Sequence, residues 1–346
     1  KKWFLYLILF LTWAIICTLA SCIPSSEWYG TSYRNEGLFS YMVYASIFVC
    51  SREIIKQGSL KRFVCFFSLI GNFTAILIIL QYFKIPWIVE YFPYLKCGTF
   101  YQINHTGYYL TMTIISLLGL YIYTTNTKEQ VIYLMSFTIQ FFSLVVNDTF
   151  GCYLAVWFGT IAVYVIYHFI GKPFQKKNLF PIVIMLILSI ILSDTVLLNI
   201  STLFTDVDNI VEKNDNMMSA GTGRMTLWLD TIDKIKHSPI FGYGPEGLYF
   251  KFGDTIMTDR PHNEYLQYAA FFGIPGLILY ISSLFCLAKK RLLKLKELDT
   301  TTIIAIGVII AYLFSALFGN TMFYTSPFFF TFFGIVAFNN NIKSYE

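Results

Sequence analysis

The sequence predicts an all-α polytopic membrane protein of about ten transmembrane helices, with one long extracytoplasmic loop that contains an amphipathic helix. Three observations carry this. First, 56% of the 346 residues are hydrophobic and only 13% are charged, about half the charged fraction of an ordinary soluble domain. Second, the apolar runs are as long as a helix needs to cross a bilayer, and too continuous for the alternating strands of a barrel. Third, Lys and Arg concentrate in alternate loops, as membrane topology requires. Such a composition excludes a disordered chain, a nucleic-acid-binding tail and most soluble enzymes. The net charge of +5 belongs to topology, and no nucleic acid is expected as a partner.

Taken in order, the first run, Trp3 to Ile23, follows two lysines as a signal peptide would. It is about 20 residues long with no small-residue cleavage site, so it reads as a spanning helix. Further spans are expected at 37–55, 63–83, 104–124, 131–147, 151–170, 180–198, 265–287, 301–318 and 325–340. An even number of spans puts both termini on one side. Sixteen of the 25 basic residues lie there, among them those of KQGSLKR and AKKRLLKLK, which makes that side cytoplasmic and the loop 199–264 outward. The chain then divides into an N-terminal bundle of seven helices (1–198), the extracytoplasmic loop (199–264) and three C-terminal helices (265–346).

The loop holds ten of the twenty acidic residues and six bases. Within it, TGRMTLWLDTIDKIKH (222–237) repeats apolar residues at Met225, Trp228, Leu229, Ile232 and Ile235, with Thr222 placed to cap and Pro239 just past the end. This is the pattern of a helix lying at the membrane surface or against the bundle. GYGPEG matches GxGxxG, but it follows a helix and Ser-Pro rather than a strand and reads as a turn. Asp206 and Asp208 form an acidic pair best read as a solvated loop. None of the four histidines forms a zinc pattern, the cysteines form no CxxC, and there is no GxSxG or Walker sequence. No metal and no cofactor are therefore expected.

One segment concentrates chemistry. His262 lies in DRPHNEYLQYAAFFGIPG, where the loop enters the eighth span, with Arg260 two residues before it and Arg224 in the first turn of the loop helix. Arg binds phosphate oxygens bidentately, and a helix start offers free N–H groups. The three side chains suit a lipid-linked diphosphate. The plainer reading of Arg224 is an ion pair with Asp230 or Asp233. Glu264, one turn from His262, is placed to orient its ring or to meet a sugar, with Asn263 and Asn104 as further supporting candidates.

The stretch GTGRMTLWLDTIDKIKHSPIFGYGPEGLYF, followed by PHNEYLQYAAFFGIPGLILYI, resembles the O-antigen ligase and O-antigen polymerase superfamily. Gly223-Arg224 with Trp228, the turn from Pro239 to Gly244, and His262-Asn263 through Gly276 follow the family's order and spacing. CGTFYQINHTGYYL is similar to an earlier family segment, with Asn104 as the matching Asn. The resemblance implies a metal-independent glycosyltransferase of the bacterial plasma membrane. Its donor would be an undecaprenyl-diphosphate-linked oligosaccharide, its acceptor a glycan, lipid or protein, and its other partners membrane lipids and further polysaccharide-assembly proteins. It implies His262 as general base and Arg224 as a holder of the diphosphate.

One departure stands out. Where many members have Ser-Arg-Gly, this chain has Thr149-Phe150-Gly151. Arg260 is then the candidate second cation, with Arg34, Lys84 and Lys96 behind it. The richness in Ile, Lys, Asn, Phe and Tyr tilts the reading towards polymerisation of capsule, O-antigen or exopolysaccharide repeats. Ligation to a lipid or protein acceptor is the alternative. A transporter of lipid-linked sugars and a structural assembly subunit remain open as other classes. The spans hold few internal charges and no repeat is visible, which argues against a transporter.

Overall fold

The computed structural model describes residues 2–21, 28–30, 34–56, 59–94, 96–211, 224–252, 255–258 and 260–338. Its helices are α1 (Lys2–Ala20), α2 (Leu38–Lys56), α3 (Leu60–Tyr82), α4 (Pro86–Tyr91), α5 (Ile103–Tyr123), α6 (Thr127–Asn147), α7 (Phe150–Phe169), α8 (Leu179–Ile191), α9 (Ser193–Val211), α10 (Arg224–His237), α11 (Glu264–Leu292), α12 (Thr300–Ser315) and α13 (Ser326–Phe338). Every expected span coincides with a helix. Among the described residues seven are long and apolar enough to cross a membrane, eight if the bent pair α8–α9 counts as one span. The chain is a multi-pass, all-α membrane protein. Two four-residue strands, Tyr249–Phe252 and Thr255–Thr258, form an antiparallel hairpin with Tyr249 opposite Thr258. Periodicity alone did not mark them inside the loop.

The helix on the last expected span, α13, has 13 residues. One expectation needs correction: the run 180–198 is not one straight span. α8 and α9 meet at 86°, and α9 continues to Val211, into what was expected to be loop. The sequence explains the bend. α8 is apolar throughout, whereas α9 opens on Ser193 and Asp194, an acid suited to a helix N-terminus. It then alternates buried Val196 with exposed Leu197, Leu198 and Phe204.

The chain forms two compact units. The larger comprises residues 48–200, 294–315 and 328–346. Its axis is α5, which touches α3, α6, α7 and α12. Of its most apolar window 94% is buried, which is why a spanning helix tolerates Thr106, Thr111, Thr113 and Ser116. Thr111 and Ser116 donate to carbonyls one turn back, of Gly107 and Met112, at 2.9 and 2.8 Å. Small residues let the helices approach closely: a Cβ on Gly119 would lie 2.6 Å from Ile304 of α12.

The other unit comprises residues 1–47, 201–293 and 316–327. Here α1 and α10 both pack on α11. α11 is broken at Gly273 (φ 67°, ψ 175°), two residues before Pro275. A break in apolar surroundings frees backbone groups that must be satisfied by protein, and this one is sealed from outside the helix. The carbonyls of Ala270 and Phe271 accept from the N–H of Tyr243 and Gly244 at 2.8 and 2.9 Å. That of Phe272 accepts from Trp13 Nε1 at 2.8 Å, and the Ile274 N–H donates to the Pro239 carbonyl at 2.8 Å. The GYG turn is thus a backbone patch on a broken helix. Gly242 (φ 67°) is required because a Cβ there would strike the Ala270 and Phe271 carbonyls at 2.6 Å.

Candidate active site

The segment between the hairpin and α11 is fixed by a buried charged cluster in the smaller unit. Arg260 is 3% exposed. Its Nη2 donates to Glu246 Oε1 at 2.7 Å and its Nη1 to the Thr321 carbonyl at 2.6 Å. It also pairs with Glu36 Oε2. Glu36 and Glu246 are 0% and 4% exposed. The Glu36 N–H donates to Glu246 Oε1 at 3.0 Å, and the Tyr44 hydroxyl donates to Glu36 Oε1. Gln267 of α11 donates to Thr321 Oγ1 at 2.5 Å and accepts from the Thr321 N–H at 3.2 Å. Burial disfavours the guanidinium, but Glu36 and Glu246 outweigh it and hold the Arg260 pKa above the ordinary arginine range.

This geometry corrects the role expected of Arg260. A guanidinium already facing two carboxylates and a carbonyl presents no surplus positive charge to a diphosphate. It ties loop to helix instead. The arrangement is one that charge burial demands, each ion paired and further hydrogen-bonded.

His262 follows two residues on, half-buried, in the left-handed region at φ 51°, a conformation that few non-glycine residues adopt unless their surroundings impose it. Its Nδ1 lies 3.5 Å from Asn320 Nδ2. Asn263 caps α11, its Oδ1 accepting from the N–H groups of Tyr265 and Leu266 at 3.0 Å each. Glu264 is 1% exposed and accepts from the Tyr280 hydroxyl at 3.1 Å. The structure therefore brings Arg260, His262, Asn263 and Glu264 together, and gives Asn263 and Glu264 anchoring partners within the fold.

Arg224 opens α10, half-buried. Neither expected ion pair forms. Asp233 faces Lys236 and His237 at 3.9 and 3.8 Å, and Arg224 has no ion pair or hydrogen bond among the described residues. Its expected cap, Thr222, lies outside the described residues. Along α10 the apolar face is only partly covered: Thr231 is buried, while Leu229 and Ile232 are 37% and 39% exposed, as a helix at a lipid surface allows.

Asn104 belongs to the larger unit, at the start of α5, and is buried. So does the departure from the family pattern. Phe150 stacks on Tyr153 with centroids 5.8 Å apart. Beside it Lys96, the fallback cation, meets Asp148 at 3.5 Å, and Asp148 also accepts from Asn199 at 2.8 Å. Lys96 is thus already paired. Among the described residues no group of three His, Cys, Asp or Glu is arranged to hold a metal ion.

Residues 134–281 match the O-antigen ligase family. This stretch runs from within α6 to beyond the α11 break and includes Phe150, Arg224, Arg260 and His262. Three rickettsial relatives, all provisionally named polysaccharide ligases, are similar to the chain. That of Rickettsia conorii is 27% identical over 50% of this chain and 42% of its own length. That of Rickettsia prowazekii is 33% identical over 27% and 24%, and that of Rickettsia typhi 27% over 48% and 40%. The matches thus span less than half the length of these relatives. No solved structure matches.

Sequence reasoning missed four participants in this cluster: Glu36, Glu246, Asn320 and Thr321. Glu246 was visible as an acid inside the PEG turn, and Asn320 as a polar residue ending an apolar run. Their partners lie 210 and 58 positions away, so no local pattern joined them.

Proposed function

We propose that the chain transfers a glycan from a polyprenyl-diphosphate carrier to an acceptor at the outer face of the bacterial plasma membrane. The observation that carries this reading is His262, half-buried just before α11 in the segment matching the O-antigen ligase family. Arg224, with no carboxylate partner among the described residues, supports a second role. The acceptor hydroxyl attacks the anomeric carbon, and the carbon–oxygen bond to the diphosphate breaks. The electron pair leaves with the diphosphate, and the hydroxyl proton passes to His262. Arg224 offsets charge growing on the leaving group, a fixed electrostatic contribution that needs no metal. A positioned base typically adds about 10²- to 10⁴-fold in rate.

The provisional names of the rickettsial relatives favour a ligase, which passes a finished chain to a lipid or protein. The Ile-, Lys- and Asn-rich composition gave the polymerase reading, in which the acceptor is another lipid-linked repeat. In either case the donor is undecaprenyl-diphosphate-linked, the loop faces outward and both termini face the cytoplasm. The test is surface-glycan analysis of a deletion strain complemented with wild type or His262→Ala. Long chains stranded on the carrier identify a ligase, and collapse to single repeats identifies a polymerase. Wild-type glycan from the His262→Ala strain overturns the assignment of His262.

A further inference from the structure

We propose that Asn320 is the positioning residue that fixes the tautomer of His262, and that the Arg260 cluster holds the two side chains in register. The inference rests on the reading of His262 as the base. Asn320 lies just beyond α12 and is 2% exposed. One end of its amide is 3.5 Å from His262 Nδ1. Its Oδ1 is buried and accepts no hydrogen bond among the described residues.

A buried amide oxygen without a donor is costly to leave unmade. The two ends of an amide exchange by a half-turn about its last torsion, and the ring nitrogens exchange a proton. With Nδ2 towards the ring, the amide donates to Nδ1, the ring proton sits on Nε2, and Oδ1 stays orphaned. With Oδ1 towards the ring, Nδ1–H donates to it, Nδ2 takes the position that Oδ1 leaves, and Nε2 carries the lone pair that a base needs. Only the second arrangement gives Oδ1 a donor and leaves Nε2 free to act as the base. A base oriented by a third group is also the general form of such sites.

The cluster explains how a weak, long contact is kept. Arg260 is two residues before His262, and its Nη1 holds the carbonyl of Thr321, the residue after Asn320. The Thr321 N–H is held by Gln267. One guanidinium therefore fixes the backbone on both sides of the pair. Glu264, the orienter expected from sequence, instead accepts from Tyr280.

The experiment is a double-mutant cycle in the complemented deletion strain. The readout is the initial rate of surface-glycan labelling per amount of membrane-inserted protein. Asn320→Leu is expected to lower the rate about 100-fold, the scale of a misplaced catalytic group. In the His262→Ala background the same change is expected to alter the residual rate less than about twofold, since a residue acting only through His262 has nothing left to orient. Asn320→Asp keeps the acceptor oxygen and is expected to stay within about threefold of wild type. Equal losses in both backgrounds, or a loss in Asn320→Asp as deep as in Asn320→Leu, overturn the proposal. If the His262→Ala rate is undetectable, the Asp–Leu contrast decides. Should His262→Ala transfer at the wild-type rate, the reading of His262 fails instead, a distinguishable result.

Discussion

The two units bury polar groups in opposite ways. In the larger, the buried polar side chains are mostly neutral and their bonds link neighbouring helices or turns. Gln140 of α6 donates to the Ser68 carbonyl and to Asn72 of α3 at 2.8 and 2.9 Å, and Asn72 donates to Ser136 at 2.8 Å. In the smaller, charged side chains are buried as well, and Arg260 gathers residues from positions 36, 246 and 321. A neutral amide in the membrane finds substitutes easily, because carbonyls and hydroxyls surround it. A buried charge does not. The difference teaches where specificity was placed: the larger unit uses polarity to join helices, and the smaller uses it to fix one loop against one helix start.

Four measurements sharpen or break this contrast. The largest effect is expected from Arg260→Met, which leaves two buried carboxylates facing each other. Breaking such a network costs about 3–5 kcal/mol, so detergent-solubilised protein should melt markedly earlier. The wild-type cluster adds no alkaline transition. An Arg pKa raised on folding contributes stability that is complete below the unfolded arginine value and is lost only as pH rises through the still higher folded value. Melting temperature should therefore not respond to Arg260 between about pH 7 and 10, where arginine stays protonated, and a transition there that disappears in Arg260→Met would contradict the assigned pairing.

Next, Gly273→Ala forces a Cβ into the Ile240 carbonyl at a left-handed position. Undocking the 239–244 turn is expected to cost at least about 1–3 kcal/mol, read as loss of protease resistance at the turn. A third change, Gln140→Leu in the neutral network, should cost only about 0.6–2 kcal/mol and leave transfer per folded molecule unchanged. A large loss of transfer would place chemistry in the larger unit. The smallest effect belongs to Lys96→Met. Lys96 and Asp148 are 41% and 39% exposed, and such a pair is worth less than about 1 kcal/mol. A collapse of transfer in this variant would show that Lys96 replaces the arginine missing at Phe150.

Much of the fold could be read from the chain because a bilayer leaves few options. Long apolar runs must be helices, and each expected span met one. The bend between α8 and α9 was hidden because hydropathy measures how apolar a run is and not whether it stays straight. His262 was legible through its neighbours Pro261 and Asn263 and the following apolar helix. Arg224 was legible as a cation opening an amphipathic helix.

The sequence by itself determined the membrane class, the order of helices, the amphipathic loop helix and the cluster of candidates between 260 and 264. Local periodicity and short motifs suffice for these, since each depends on residues within one or two turns. Only the tertiary structure decided that Arg260 faces Glu36 and Glu246, that the GYG turn seals the break at Gly273, and that Asn320 stands against His262. Those pairings join residues 14 to 224 positions apart. Burial of charge and the need to satisfy freed backbone groups select them, and both act only once the helices have packed.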